Sequence, residues 1–448
     1  MKKTEIQAAQ LSGHFNYKRL LRYTFPSIIM LIFTSVYGVV DGFFVSNFVG
    51  KTAFTAVNFI MPVLLVLSSA GFLFGTGGSA LIALTIGKGN REKANSVFSM
   101  LVYISLAFGA LLTVFGILFL RPIAAFLGAE GQLLEDCVLY GKVFLLATPA
   151  AILQYEFQCL FATAGKPQLG LYITFAAGIA NAVLDALFVA VLPWGLPGAA
   201  AATGIGQFIG GILPLAYFAR PNHSLLRLTK AKFDGRAFLK ICTNGSSELM
   251  SNISASLVGM LYNIQLLRYA GEDGVAAYGV LMYVNFVFLA SYIGFSVGTS
   301  PVVGYHYGAG NFGELKSLLK KSLAVVSVFA ILMFASSLLL AKPLSLMFVS
   351  YDAGLLDMTL HAFSIYAFSF LFAGFAIFGS GFFTALNDGL TSALVSFLRT
   401  LVFQVLAVLL LPLAWQLDGI WASMVAAEFL AVLVASLFLM GKRKKYHY

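Results

Sequence analysis

From residue 20 to residue 440 the chain runs through a dozen apolar stretches, broken by short polar joints. A helix needs about 20 mostly apolar residues to cross a hydrocarbon core about 30 Å thick. The spans read as 20–48, 53–86, 95–120, 138–162, 168–192, 197–219, 238–267, 275–305, 315–340, 358–384, 389–411 and 417–440. Composition argues the same way. Apolar residues make up 60% and charged residues 10%, where a soluble domain is about half apolar and about a quarter charged. A chain this long could not dissolve without a charged skin, so its solvent is lipid. The 43 glycines suit close helix packing there. The expected fold is all-α and integral to the membrane, with about twelve transmembrane helices.

The ends and cysteines add little. Lys2, Lys3 and Glu5 precede an apolar run too long for a signal h-region, so no cleavable leader is expected. Cys137, Cys159 and Cys242 are scattered and form neither a disulfide framework nor a metal spacing.

Basic residues sort by joint. One side gathers Lys2, Lys3, Lys18, Arg19, Arg22, Lys88, Arg91, Lys93, Lys166, the 220–240 cluster, Lys316, Lys320, Lys321 and the 442–445 tail. The other side holds only Lys51, Arg121, Lys142, Arg268 and Lys342, beside acids such as Glu130, Asp136, Glu272, Asp352 and Asp418. The positive-inside rule puts the first side, with both termini, in the cytoplasm. The net charge of +10 therefore reads as topology in a plasma membrane and not as nucleic-acid binding. The basic tail can also touch anionic lipid.

The halves repeat at a fixed offset. A shift of 221 relates Gly38 to Gly259, Gly50 to Gly271, Gly89-Asn90 to Gly310-Asn311, Gly198 to Gly419, and Gln207 to Glu428. Gly75-Thr76 meets Gly298-Thr299 at 223. Six helices per half keep the two copies in the same orientation, so the repeat is parallel, about an axis along the membrane normal. The expected layout is two pseudo-symmetric six-helix lobes, 1–219 and 237–441, joined by a linker 220–236 and followed by a tail 442–448. Such duplication favours a transporter over a merely larger bundle.

A charge at the bilayer centre costs about 2.5–3.5 kcal/mol on insertion scales. Five acids nonetheless lie inside the spans, Asp41, Glu156, Asp185, Glu248 and Glu428, with one base, Arg399. Asp41 stands nine residues before Gly50 and Asp185 nine before Trp194, where their spans end on the same side. At 1.5 Å per residue both lie about 13 Å deep, beyond reach of the headgroups. Tyr37 and Asn181 sit one turn from these acids, and Gln207 enters at similar depth. A carboxyl taken out of water disfavours its charge, and a second alongside disfavours it further. A pair of this kind can hold a proton and release it to an arriving cation, which is the chemistry of a coupling-ion site. The plainer reading is helix packing with each acid satisfied by backbone.

The second half does not copy this arrangement. The shift takes Asp41 to Tyr262, beside Asn263, Asn181 to Val402, and Asp185 to Leu406; its acid is Glu428, level with Asn285. Glu248, eight residues from Lys240, is shallower and reads equally as a vestibule, packing or substrate residue. Glu156 and Arg399 share mid-depth in opposite halves, so an ion pair between lobes is one reading. Tyr278, Tyr283, Phe286 and Phe288 could face a flat cation or simply pack. Pro26, Pro62, Pro149, Pro214 and Pro301 lack an amide donor and can bend their spans.

Together these residues resemble the multidrug and toxic compound extrusion (MATE) family over nearly the whole chain. The resemblance is carried by Tyr37…Asp41, Gly75-Thr76-Gly77-Gly78, Gly87-Lys88-Gly89-Asn90, Ala164-Gly165-Lys166-Pro167, Asn181…Asp185 and Gly198-Ala199-Ala200. Asn244-Gly245-Ser246-Ser247-Glu248 is similar to the MepA-like multidrug branch. The resemblance implies a V-shaped pair of lobes and export of organic cations in antiport against H+ or Na+. It maps an ion site onto Asp41, Asn181 and Asp185, with Na+ at the two aspartates the only metal implied. The acid that some members carry in the tenth span has no counterpart here. No cofactor is expected, and the working unit is expected to be a monomer. Three rivals stand beside this. A lipid-linked oligosaccharide flippase would want several bases in its cavity. An intramembrane enzyme would need a nucleophile set or a His-Glu-x-x-His pattern, and neither is present. A passive channel would have little use for a lone carboxylate pair.

Overall fold

The computed structural model describes residues 11–448 apart from Tyr351, and apart from the side chains of residues 38, 39 and 51. Lys2, Lys3, Glu5 and the Lys51 side chain thus lie outside the described residues. What is described is helical, with no strand.

The first lobe runs α1 Tyr17–Val49, α2 Thr52–Gly87, α3 Arg91–Phe126, a bent α4 made of Gly131–Leu146 and Thr148–Thr163, α5 Pro167–Val191, and α6 Gly195–Ala219. The bend in α4 is 58°, and Pro149 stands in the first turn beyond it. Pro26, Pro62, Pro214 and Pro301 lie inside continuous helices. Two helices of the second half are too long to be single spans. Gly235–Gly308 holds 74 residues, which would measure about 110 Å. It breaks at Gly271 (φ 63°) into α7, 235–270, and α8, 272–308. α9 is Phe312–Val349 and α10 Ala353–Ala385. Gly389–Tyr446 breaks at Gln416 (φ 49°) into α11, 389–415, and α12, 417–446. Nine helices among the described residues are long and apolar enough to cross a membrane; the bent pair and the two breaks bring the spans to twelve.

Short polar side chains start many of these helices by accepting an orphan amide. Asn16 takes the Arg19 N–H at 2.8 Å, Asn90 that of Lys93 at 3.0 Å, Asn311 that of Glu314 at 3.1 Å and Asp352 that of Leu355 at 3.0 Å. These caps lie outside the apolar stretches, so α3 and α9 run several residues past the expected 95–120 and 315–340. Apolar length measures the lipid; the helix continues into the interface. At the far end α12 carries the basic 442–445 segment as far as Tyr446, and Tyr446 and Tyr448 are buried. The tail is docked rather than free.

The offset of 221 seen in sequence is a repeat of backbone geometry. Gly50 and Gly271 both have positive φ (117° and 63°), as do Gly89 and Gly310 (80° and 69°). Gly195 and Gln416 continue the series at 64° and 49°. The left-handed region is uncommon for a side chain such as glutamine, yet the turn between α11 and α12 demands it.

The lobes meet along the end that carries the basic joints. A Cβ on Gly77 of α2 would overlap the Ile241 carbonyl of α7, and one on Gly245 of α7 would overlap the Leu73 carbonyl of α2. Only glycine permits backbones this close. Gly294 and Gly298 of α8 lie against Ile28 and Thr24 of α1 in the same manner. Residues 11–16 reach across as well: Glu314 of α9 accepts the Phe15 amide at 2.8 Å and pairs with His14 at 2.7 Å. The 220–234 segment packs on α3, where Arg91 donates to the Ser224 and Leu225 carbonyls at 3.0 and 3.2 Å. Facing outward are large apolar side chains such as Leu118, Leu339 and Leu413, which only lipid would cover.

Candidate functional site

Three helical turns in the described residues widen to π geometry, at Val45–Val49, Ala186–Val191 and Leu398–Val402. Each lies at a charge embedded in the membrane. Asp41 opens the first, its carbonyl sharing the Val45 amide with that of Gly42. Asp185 immediately precedes the second, and Arg399 lies within the third. Such an extra residue shifts the side chains around it and recurs at functional sites.

The first two turns aim their acids at each other. Asp41 on α1 is 5% exposed and Asp185 on α5 is wholly buried. The two carboxyls lie close enough to act on each other directly. From α6, the Thr203 hydroxyl donates to Asp41 Oδ1 at 3.1 Å. From the bent α4, the buried Tyr140 hydroxyl faces both acids and Thr203. Tyr37 stands beside Asp41, Gln154 and Tyr155. Asn181, one turn from Asp185, is buried with neither amide atom hydrogen-bonded, and neither Asp185 oxygen has a hydrogen-bond partner within the protein. Gly206 allows this approach of α6 to α5: a Cβ there would stand 3.1 Å from that of Asn181. Gln207 is buried one turn beyond Thr203, with Oε1 unpartnered. Thr203, not Gln207, is the α6 residue that hydrogen-bonds Asp41.

This cluster is built from carboxyl, hydroxyl and amide oxygens, the donor set of a proton or a hard cation. Among the described residues no group of three His, Cys, Asp or Glu could hold a metal ion. Two carboxyls enclosed side by side cannot both carry charge without a proton or cation between them.

The second lobe is arranged differently. Arg399 of α11 forms a bidentate pair with Glu428 of α12, Nε to Oε2 at 2.8 Å and Nη2 to Oε1 at 2.7 Å. Arg399 does not pair with Glu156 across the lobes: its Nε and Nη2 are committed to Glu428, and neither Glu156 oxygen has a hydrogen-bond partner within the protein. Glu428 is fully buried, with Tyr262, Tyr292 and Tyr366 within its electrostatic reach, so it is no open cavity acid. Tyr262, the counterpart of Asp41, lies in this polar group, while Asn263 is exposed. Leu406, the counterpart of Asp185, is half exposed. Asn285 is buried near Met282 Sδ, 4.0 Å away.

Glu156 is fully buried on α4 with neither oxygen hydrogen-bonded. Glu248 on α7 is half-buried, within electrostatic reach of Arg399 in its own lobe and of Cys159 in the other. The aromatic residues do not make one stripe. Tyr278 stacks on Tyr262 (5.2 Å), Tyr283 on Phe348 (5.3 Å), Phe288 meets Phe370 edge-on (4.9 Å), and Phe286 is exposed. Thr203 and Tyr140 are the residues that sequence reasoning missed. The signal for Thr203 was its place one turn before Gln207; Tyr140 had none.

A twelve-span bundle in two parallel repeats, with a buried acid pair in one lobe, has the architecture of a membrane transporter. The family model MatE matches residues 26–187 and 249–410, one copy per half, and the chain belongs to that family. It is 25% identical over 435 residues to the multidrug export protein MepA of Staphylococcus haemolyticus (strain JCSC1435), covering 96% of this chain and 94% of that protein. The fold is shared with a MATE protein crystallised in complex with MaL6 (TM-score 0.93, 21% identity, 98% of this chain and 99% of that one). It is shared too with the outward-facing conformation of a multidrug resistance MATE transporter of the MOP superfamily (TM-score 0.92, 22% identity, 98% of each chain).

Proposed function

We propose that this protein is a multidrug efflux antiporter that exports organic cations in exchange for H+ or Na+ by alternating access between its lobes. The observation that carries this is the Asp41–Asp185 pair, two buried carboxyls from two helices brought together with Thr203, Tyr140 and Asn181. In this reading Asp41 and Asp185 bind the coupling ion, and Asn181 and Tyr37 shape its enclosure. Glu156 and Glu248 take part in no ion pair among the described residues, so once water or cargo reaches them they offer negative charge that favours a cation. Gln207, Asn285 and Asn263 stand as cavity residues. Pairing with Glu428 removes Arg399 as a partner for anionic cargo, which weighs against a lipid-linked oligosaccharide flippase. The lobes are 1–219 and 237–441, the protein works as a monomer in the plasma membrane, and the basic end with both termini faces the cytoplasm.

The test is dye efflux from proteoliposomes driven by an imposed pH or sodium gradient, with cationic and anionic dyes compared. Cationic dyes should be moved by one of the two gradients, which identifies the ion. Asp41→Asn and Asp185→Asn keep side-chain size and remove the charge, and neutralising a deep acid does not worsen insertion. Each should abolish gradient-driven efflux while the protein remains folded in the membrane. Full gradient-driven transport in both variants would move the coupling site elsewhere, with Glu156 next in line.

A further inference from the structure

At the basic end, the seam between the lobes opens into a cavity of about 770 Å³. Lys88 and Lys93 face it from the α2–α3 junction of the first lobe, and Arg236 and Lys240 from the first two turns of α7 in the second. Among the described residues none of these four exposed cations takes part in an ion pair. The one acid in the lining, Asp234, is already engaged as the cap of α7, accepting the Arg236 and Ala237 amides at 3.1 Å each. Four like charges thus meet across the joint where Gly77–Ile241 and Gly245–Leu73 bring the lobes closest. Topology alone would be satisfied by these residues anywhere in their joints; it does not require them to converge on one cavity.

We propose that this cavity binds the phosphate of an anionic phospholipid, which bridges the two lobes. The charge calls for a multivalent oxygen anion, since arginine and lysine from two sides match a phosphate. The floor decides between a free phosphate and a lipid. Leu81, Leu84 and Val97 line the same cavity, and these residues lie at the ends of membrane-spanning helices, where an acyl chain can descend while the headgroup stays among the cations. A headgroup held by both lobes neutralises their mutual repulsion and favours the arrangement in which this end is shut. When the lobes part, the two halves of the site separate and the lipid is released. The inference is independent of which cargo or coupling ion the transporter uses.

The experiment measures binding by native mass spectrometry and the thermal unfolding midpoint of the full-length protein in neutral detergent. The probes are phosphatidylglycerol, phosphatidylcholine and inorganic phosphate. Phosphatidylglycerol should be retained and should raise the midpoint, and the other two should do neither. A Lys93→Gln/Arg236→Gln double variant removes one cation from each lobe and should weaken phosphatidylglycerol binding about tenfold or more. Lys316→Gln/Lys320→Gln removes the same charge outside the cavity and should bind as the parent does. Equal weakening in the two double variants would reduce the effect to nonspecific charge and overturn the site. Parent-like binding by Lys93→Gln/Arg236→Gln would overturn it too. Protection by inorganic phosphate as strong as by phosphatidylglycerol would overturn the lipid assignment.

Discussion

Arg399 and Glu428 carry opposite charges into the membrane and cancel them within one lobe, at 11% and 0% side-chain exposure. Breaking a buried pair costs about 3–5 kcal/mol because the surviving charge is left without a partner, whereas replacing both members by apolar residues of similar volume is often neutral. Arg399→Met and Glu428→Leu should each lower the thermal unfolding midpoint sharply, and the double variant should regain most of the loss. Additive losses in the double variant would show that the pair is not what holds α11 to α12. The sequence made these charges conspicuous, since each embedded charge needs an explanation, but not who pairs with whom. Counting residues from a helix end gives depth and not rotation or neighbourhood, so Glu156 and Glu428 were equally available to Arg399. The same counting served Asp41 and Asp185 because their helices end on one side, at Gly50 and Trp194. Thr203 and Tyr140 escaped because burying a hydroxyl costs far less than burying a charge, so neither stands out in an apolar span.

At the scale of elements, apolar length located every span, and polar caps fixed where many of the helices begin. The wide turns at Asp41, Asp185 and Arg399 were hidden, because one extra residue in a turn leaves the apolar pattern unchanged. The break at Gly271 was legible as a glycine repeating Gly50; the break at Gln416 was legible only as the joint between 389–411 and 417–440, since glutamine by itself marks no turn. The α10–α11 joint holds a further device. Asp388 accepts from Lys442 Nζ at 2.6 Å, the Tyr446 hydroxyl at 2.7 Å and the Thr391 amide at 3.4 Å. Burial pushes its carboxyl up, but the hydrogen bonds from Lys442 and Tyr446 outweigh that and hold it below the ordinary carboxylate range. A carboxylate depressed on folding stabilises fully above its unfolded pKa of about 4 and loses that contribution as pH falls through the folded value. Docking of the 442–448 tail should therefore be constant near neutrality and fail only in strong acid. Asp388→Asn should reproduce the acid state at neutral pH, raising hydrogen exchange across 442–448 severalfold while the spans stay protected. Unchanged tail exchange would place the anchor in the packing of Tyr446 and Tyr448 alone.

For the whole molecule, the duplication was legible because equivalent turns need the same left-handed backbone, and glycine records that need at a constant spacing. How the lobes meet was not legible. The seam is made by glycine against backbone carbonyls, at Gly77–Ile241 and Gly245–Leu73, and such contacts leave no side-chain pattern. Alternating access requires that seam to close and part. Gly245→Val puts a branched side chain where the Leu73 carbonyl stands, and backbone cannot yield as a flexible side chain can. Overpacking costs about 1–3 kcal/mol, enough to shift a two-state balance roughly five- to hundredfold toward the arrangement with the basic end open. Insertion should survive, since the clash lies between lobes. Cys242, half-buried next to Ile241 on α7, is a native reporter, and Cys137 and Cys159 are buried. A membrane-impermeant maleimide should label Cys242 faster in Gly245→Val than in the parent, and gradient-driven efflux should fall roughly fivefold or more. Gly259→Val is the control, for a Cβ there meets nothing within 4 Å, and both readouts should match the parent. If Gly245→Val also matched the parent, the seam would not be the closed gate; if both variants failed alike, the loss would belong to the α7 helix and not to its contact with α2.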